Sequence, residues 1–255
     1  MSSAETPTDN QDVACYVYGV VPGDVELTPD AHGLNNREVR LVRHGDLAAM
    51  VSDMEVRSAI GRPEDLAAHE QLLDATAVEA PVLPFRFGAV MSDADAVTEH
   101  LLAANHDAFA AALKELEGRT EYIVKARYHE NAVLSEVLAE NEEAARLREQ
   151  VRGKPEDATR DARMRLGEII HQVIENKRGA DTQALIEVLA HHAVAHALME
   201  PTHDYEAVHV AFLVETSRRS AFEKALEDAA GERRERMAFR LLGPLAAYDF
   251  VVTGQ

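Results

Sequence analysis

Cysteine is nearly absent: Cys15 stands alone among 255 residues, which excludes an internal disulfide. Its neighbours in Val13-Ala14-Cys15-Tyr16-Val17-Tyr18 are strand formers, so the thiol reads as a small buried hydrophobe in a reducing compartment. No apolar run approaches the ~18 residues of a membrane span, and the first basic residue is Arg37, too late for a basic region ahead of an apolar signal core. Both absences predict a soluble chain that is not secreted. Basic side chains are also scarce, with 26 Lys plus Arg against 45 Asp plus Glu and a formal net charge of -19. Such a surface repels phosphate backbones, which excludes nucleic acid as a partner. The imbalance sits mainly in residues 1–128, with 22 acidic against 10 basic side chains, and its simplest meaning is a solvated, solubilising surface. A Gly-rich phosphate loop, a paired-cysteine zinc pattern and a nucleophile-elbow serine are missing too. Their absence implies no cofactor.

What is present is enough to build a core. The chain is 46% hydrophobic, and its length against a usual ~150 residues per domain favours two domains. Residues 1–12 hold almost nothing to bury and are expected to form a disordered tail. From Val13 short apolar runs predict strands at Val13–Val20, Val39–Val42 and Leu47–Ser52. A helix follows from Pro63, with Leu66, His69, Leu73, Ala77 and Ala80 on one stripe, and Pro81 ends it. Residues 82–91 read as extended. Ser92 or Asp93 then caps a second helix through Val97, Leu101, Ala104, Ala108, Ala112 and Leu116. Strands with two helices on one face make residues 13–118 an α+β sandwich of ferredoxin-like type.

Gly118 closes that helix, so residues 119–255 form the second domain. Glu121–Tyr128 alternates like a strand. Apolar stripes through Val133–Val151 and Ala162–Val173 predict a helical hairpin over residues 130–178, inserted after that strand. A third helix, Thr182–Met199, is expected next, then a strand at Val208–Val214, a helix from Ser217 to about Ala230, and strands Met237–Leu242 and Ala246–Val252 broken by Gly243-Pro244. The class is α+β throughout.

Few residues invite chemistry. His191, His192 and His196 are the sharpest group, because His192 and His196 on one helix could both ligate a metal, with His171, His203 or Glu187 completing the site. The competing reading continues the stripe Leu185, Leu189, His192, His196 into the core with satisfied ring nitrogens; no metal is expected. His69-Glu70 fails as an acid/base pair, since adjacent helical residues diverge by ~100°. Arg86, between Phe85 and Phe87, is either an anion clamp or partner contact, or it points outward or pairs with a carboxylate while the two rings bury one face. If burial fixes the segment, the guanidinium needs a carboxylate or several carbonyls around it, and Arg86→Ala costs roughly 2–4 kcal/mol.

Several phrases, in order and spacing, resemble the F/L family of gas vesicle proteins (GvpF/GvpL). They are Tyr16-Val17-Tyr18-Gly19-Val20, Asp46-Leu47-Ala48-Ala49-Met50-Val51-Ser52, the block Val82-Leu83-Pro84-Phe85-Arg86-Phe87-Gly88-Ala89-Val90, and Tyr122-Ile123-Val124-Lys125. Gly243-Pro244-Leu245-Ala246-Ala247-Tyr248-Asp249-Phe250-Val251 is similar to the family's terminal segment, with Leu245-Ala246-Ala247 where the family more often has Trp-Pro-Pro. The most specific part is Leu83-Pro84-Phe85-Arg86-Phe87-Gly88. The resemblance, over residues 13–252, implies a non-enzymatic accessory or minor structural protein located at a gas vesicle within the cytoplasm. It implies binding to the hydrophobic shell protein, GvpA, and other vesicle proteins during assembly. Residues 13–118 are expected to carry most of that contact, on an open sheet face or a free edge, with the 130–178 hairpin serving a second vesicle protein or fixing domain orientation. Two rival readings are a metal enzyme built on the histidines, distinguished by bound metal, and a ligand-binding regulatory domain, distinguished by a deep mixed pocket.

Overall fold

The computed structural model describes residues 13–28, 31–55 and 60–251; the tail expected over residues 1–12, and Val252, lie outside them. The chain divides into two compact units, Met1–Glu121 with Pro244–Gln255, and Tyr122–Gly243.

In the first unit the three early apolar runs become β1 (Val13–Pro22), β2 (Arg40–His44) and β3 (Leu47–Glu55). Two short strands, β4 (Leu83–Pro84) and β5 (Val90–Met91), follow the first helix, and the sheet order is β2-β3-β1-β4 with β5 also on β1. β1 and β3 run antiparallel from Val13↔Glu55 to Pro22↔Leu47, with an irregularity between Val17 and Gly19. A Cβ at Gly19 would lie 2.5 Å from the Leu83 carbonyl oxygen, so glycine lets β4 approach β1.

Helix α1 (Pro63–Glu79) starts as expected, with Pro63 at its first turn and the Asp65 carboxylate accepting from the Arg62 N–H at 3.1 Å. Its buried side includes Leu72 and Leu73, packed with Tyr16, Tyr18, Ala48 and Met50, whereas Leu66 stays 43% exposed. The second helical segment is interrupted: Asp93 caps α2 (Ala94–Ala96), a π-helical stretch follows (Val97–Ala103), and α3 spans His106–Leu116. Helices α1 and α3 both reach β1, yet α3 is absent from the core that α1 shares with Tyr16 and Tyr18. Val17, Val20, Ala49 and Val51, outside that core, are equally buried. The sheet therefore lies between helices, correcting the expectation of two helices on one face and an open opposite face. The signature is continuous: eight consecutive residues of β1, Ala14–Val21, are buried, the pattern of a strand covered on both sides.

In the second unit β6 (Arg119–Tyr128) is followed by α4 (Glu130–Glu140), α5 (Glu142–Val151), α6 (Glu156–Leu189), β7 (Ala195–Leu198), β8 (Glu206–Glu215), α7 (Arg219–Arg233) and β9 (Met237–Leu245). The strand order β7-β8-β6-β9, with this succession of elements, is the βαββαβ ferredoxin-like arrangement, its first helix expanded into α4–α6. Tyr122, Val124, Ala126 and Tyr128 of β6 and Val208, Val210, Phe212 and Val214 of β8 fill one core with Phe222 and Leu226 of α7.

Three local expectations change. The helix expected through residues 130–151 breaks at Asn141, whose side chain accepts from the Ala144 N–H at 2.9 Å and starts a new helix. The next helix runs past residue 178 to Leu189, and Ala195–Leu198, expected as the end of a third helix, pairs antiparallel with β8 from Ala195↔Leu213 to Leu198↔Val210. Finally, β9 continues through Gly243-Pro244, because it is a sheet edge where a missing N–H is tolerated; the residues after it form a 3-10 turn, Tyr248–Phe250, not a strand.

Candidate partner-binding site

The Leu83-Pro84-Phe85-Arg86-Phe87-Gly88 segment is a turn that leaves β1 and returns to it. Leu83 and Pro84, both buried, pair with Val20 and Gly19, and the Phe85 N–H donates to the Tyr18 carbonyl at 2.9 Å. After the turn the Val17 N–H donates to the Ala89 carbonyl at 2.9 Å, and Val90 and Met91 pair with Tyr16 and Cys15. Gly88 adopts φ +96°, a conformation glycine supplies without strain.

A relay braces this turn from beneath. The Tyr16 hydroxyl and His69 Nδ1 are 3.0 Å apart, and His69 Nε2 is 3.0 Å from the Phe85 carbonyl oxygen. A carbonyl only accepts, so Nε2 carries the proton and Nδ1 takes the Tyr16 O–H. The Gly88 N–H donates to the same hydroxyl oxygen at 3.0 Å. A single Tyr–His pair thus holds both ends of the turn. Burial pushes His69 below its ordinary value of 6.5, partly offset by the bond to Phe85, and burial raises the Tyr16 phenol to about 12. Both stay neutral near pH 7, as the relay requires.

The two aromatic residues anchor in different directions. Phe87 lies 5.7 Å from the His69 ring and 6.0 Å from Tyr16, whereas Phe85 lies 6.0 Å from Phe109 of α3. Arg86, between them, is exposed, and among the described residues neither a hydrogen bond nor an ion pair holds its guanidinium. This corrects the expectation of a desolvated arginine ringed by carboxylates or carbonyls: alternation along the chain leaves the two rings half-buried and turns Arg86 outward. His69, read in the sequence as one position of an apolar stripe and rejected there as an acid/base partner of Glu70, has a bracing role which that reasoning missed. Its signal was a single imidazole in an otherwise apolar helix face.

The histidine group does not assemble on a helix. His191 and His192 lie in the 3-10 turn after α6, while His196 is on β7, 6.2 Å from the Phe212 ring. The helical spacing that put His192 and His196 on one face is lost because the helix ends at Leu189. Among the described residues no three His, Cys, Asp or Glu side chains gather as around a metal ion, and no helix is long and apolar enough to cross a membrane.

Two α+β units, one with a ferredoxin-like strand order and the other presenting an aromatic-anchored arginine turn, define a class of paired-domain α+β scaffold. The chain belongs to the gas vesicle synthesis protein GvpL/GvpF family, whose pattern matches residues 14–252. It is 30% identical to gas vesicle protein F of Streptomyces sp. (strain CB03234) over 242 residues, covering 94% of this chain and 100% of that one. Gas vesicle protein L of the same strain is 35% identical over 147 residues, 52% of this chain and 54% of the relative. The crystal structure of GvpF from Anabaena sp. PCC7120 superposes with a TM-score of 0.79 at 22% identity, covering 95% of this chain and 99% of that one. GvpF from Microcystis aeruginosa gives 0.75 at 20% identity, covering 93% and 98%. At those identities the solved structures speak for the fold.

Proposed function

We propose that this chain is a non-catalytic accessory or minor structural protein of the gas vesicle, acting within the cytoplasm to bind the hydrophobic shell protein GvpA and assist assembly. The observation that carries the reading is the braced turn, which displays an exposed Arg86, without a partner among the described residues, between two anchored aromatic rings. A surface held in its binding geometry loses little entropy when a partner docks, and a free guanidinium brings five donors to carboxylates or carbonyls. The first domain, expected over residues 13–118, carries the contact; the helical hairpin, expected over 130–178, serves a second vesicle protein or fixes domain orientation. A net charge of -19 suits a companion that keeps an apolar, polymerising protein in solution.

The test uses the full chain captured on immobilised shell protein. Arg86→Ala and Arg86→Glu should each weaken capture about tenfold or more, equivalent to about 1.4 kcal/mol. The melting temperature should stay at the wild-type value, because the side chain is exposed. Wild-type capture by both variants would overturn the proposal, and lost capture with a lowered melting temperature would assign Arg86 to the fold instead.

A further inference from the structure

The residues after β9 close onto the first unit. Ala246 and Ala247 are buried, Ala246 belongs to the core of Tyr16, Leu72 and Leu73, and Tyr248 packs against it. Two carboxyl groups grip the backbone of this segment. Asp74 Oδ1 on α1 accepts from the Ala246 N–H at 2.8 Å, and Glu121 Oε2 on β6 accepts from the Asp249 N–H at 3.0 Å. Inside the segment the Tyr248 N–H donates to the Ala246 carbonyl at 2.9 Å. The Tyr248 hydroxyl oxygen is buried, and among the described residues it has no hydrogen-bond partner.

The titratable groups facing this latch are all acids. Glu121, 1% exposed, faces Asp249 on the segment and Asp74 on α1. Asp74 faces Glu70, and the Tyr248 phenol faces Asp74, Glu70, Tyr16 and Glu121. Among the described residues these interactions include no cation. A backbone amide neutralises a carboxylate only in part, so ionising Glu121 puts a second negative charge in a buried space already shared with acids.

We propose that Ala246–Phe250 is a detachable strap, latched to the first unit through its backbone amides by Glu121 and Asp74 and released when the Glu121 carboxyl loses its proton. The direction follows from the environment. Burial, then repulsion from Asp249 and Asp74, raises Glu121 from an ordinary 4.5 to about 8, and burial raises Asp74 as well. A raised acid binds its proton more tightly when docked, so docking is strongest in acid and weakens as pH climbs from about 4.5 to about 8. Release bares the apolar surface under Ala246, Ala247 and Tyr248, in the core that contains Tyr16. Tyr16 also braces the Phe85–Gly88 turn, so strap and turn share a support.

Amide hydrogen exchange on the full chain tests this, read as protection factors so that intrinsic exchange rates cancel. Protection at Ala246 and Asp249 should fall by up to about tenfold per pH unit between roughly pH 6 and pH 8, then level off. Glu121→Gln keeps an acceptor oxygen but cannot ionise, and should stay protected across the range. Asp74→Asn should act only through Glu121, moving the midpoint of the loss to lower pH as the neighbouring charge that raises Glu121 disappears. Flat protection in the wild-type chain, or a wild-type slope in Glu121→Gln, would overturn the proposal. Tyr248→Phe is a variant that retains both latches; it should keep the slope, and losing it would move the titrating group to the phenol and refute the role of Glu121.

Discussion

At the residue scale the Tyr16–His69 pair shows how two side chains 53 positions apart determine the conformation of a turn neither belongs to. Tyr16→Phe removes the acceptor for Gly88 N–H and the donor to Nδ1, leaving a buried ring nitrogen unpaired. A loss of about 1–3 kcal/mol in urea unfolding is expected. The turn also has a pH dependence with a definite sign. His69 titrates below its ordinary 6.5 in the folded chain, so its contribution is complete above that value and is lost as pH falls through the folded one. Compared with His69→Gln, which does not titrate, the stability advantage of the wild type should shrink as the pH falls from about 7.5 to about 5.5. A constant difference would show that the imidazole is not held neutral. The Leu-Pro-Phe-Arg-Phe-Gly phrase was legible in the sequence. Its brace was not, because hydrogen bonding between distant residues leaves no local pattern.

At the element scale, legibility followed the strength of local periodicity. The stripes that predicted α1 and the helical hairpin correspond to real helices, and the β1 and β3 runs lie within real strands. Ala195-His196-Ala197-Leu198 misled because Ala and Leu favour helix, while pairing with β8 decides the outcome. Contacts between elements are equally hidden from periodicity. Arg236, just before β9, bridges Glu136 of α4 at 2.7 Å and Asp181 of α6, with its guanidinium 5.2 Å from the centre of the Tyr128 ring. Lys177 of α6 adds bonds to Glu136 at 3.1 Å and Glu140 at 2.7 Å. Removing the arginine takes the shared guanidinium from two partly buried carboxylates, leaving Glu136 with Lys177 and Asp181 without that cation. Arg236→Ala should therefore cost about 3 kcal/mol in chemical denaturation, well above a surface ion pair. A loss below about 1 kcal/mol would mean that water replaces the guanidinium readily.

At the scale of the whole molecule, the first unit is discontinuous in sequence: it comprises residues up to Glu121 together with those from Pro244 onward. No boundary rule based on turns and glycines reveals this, because the returning segment is short and its anchors, Asp74 and Glu121, look like ordinary acidic residues in a chain rich in them. The consequence is physical. A fragment ending near residue 121 lacks Ala246 and Ala247, leaving the apolar surface beneath them open and the side chains of Asp74 and Glu121 without their amide donors. Losing two buried alanines and the two carboxyl–amide hydrogen bonds should destabilise such a fragment by several kcal/mol, a large share of a marginal domain's total of about 5–15 kcal/mol. Residues 13–121 expressed alone should accordingly show much faster amide exchange in β1 and α1 than the full chain. Adding a peptide of residues 244–255 should restore part of the protection, and the Glu121→Gln fragment should gain from the peptide at alkaline pH where the unsubstituted fragment does not. Equal protection in the fragment and the full chain would show that the first unit closes its core without the returning segment.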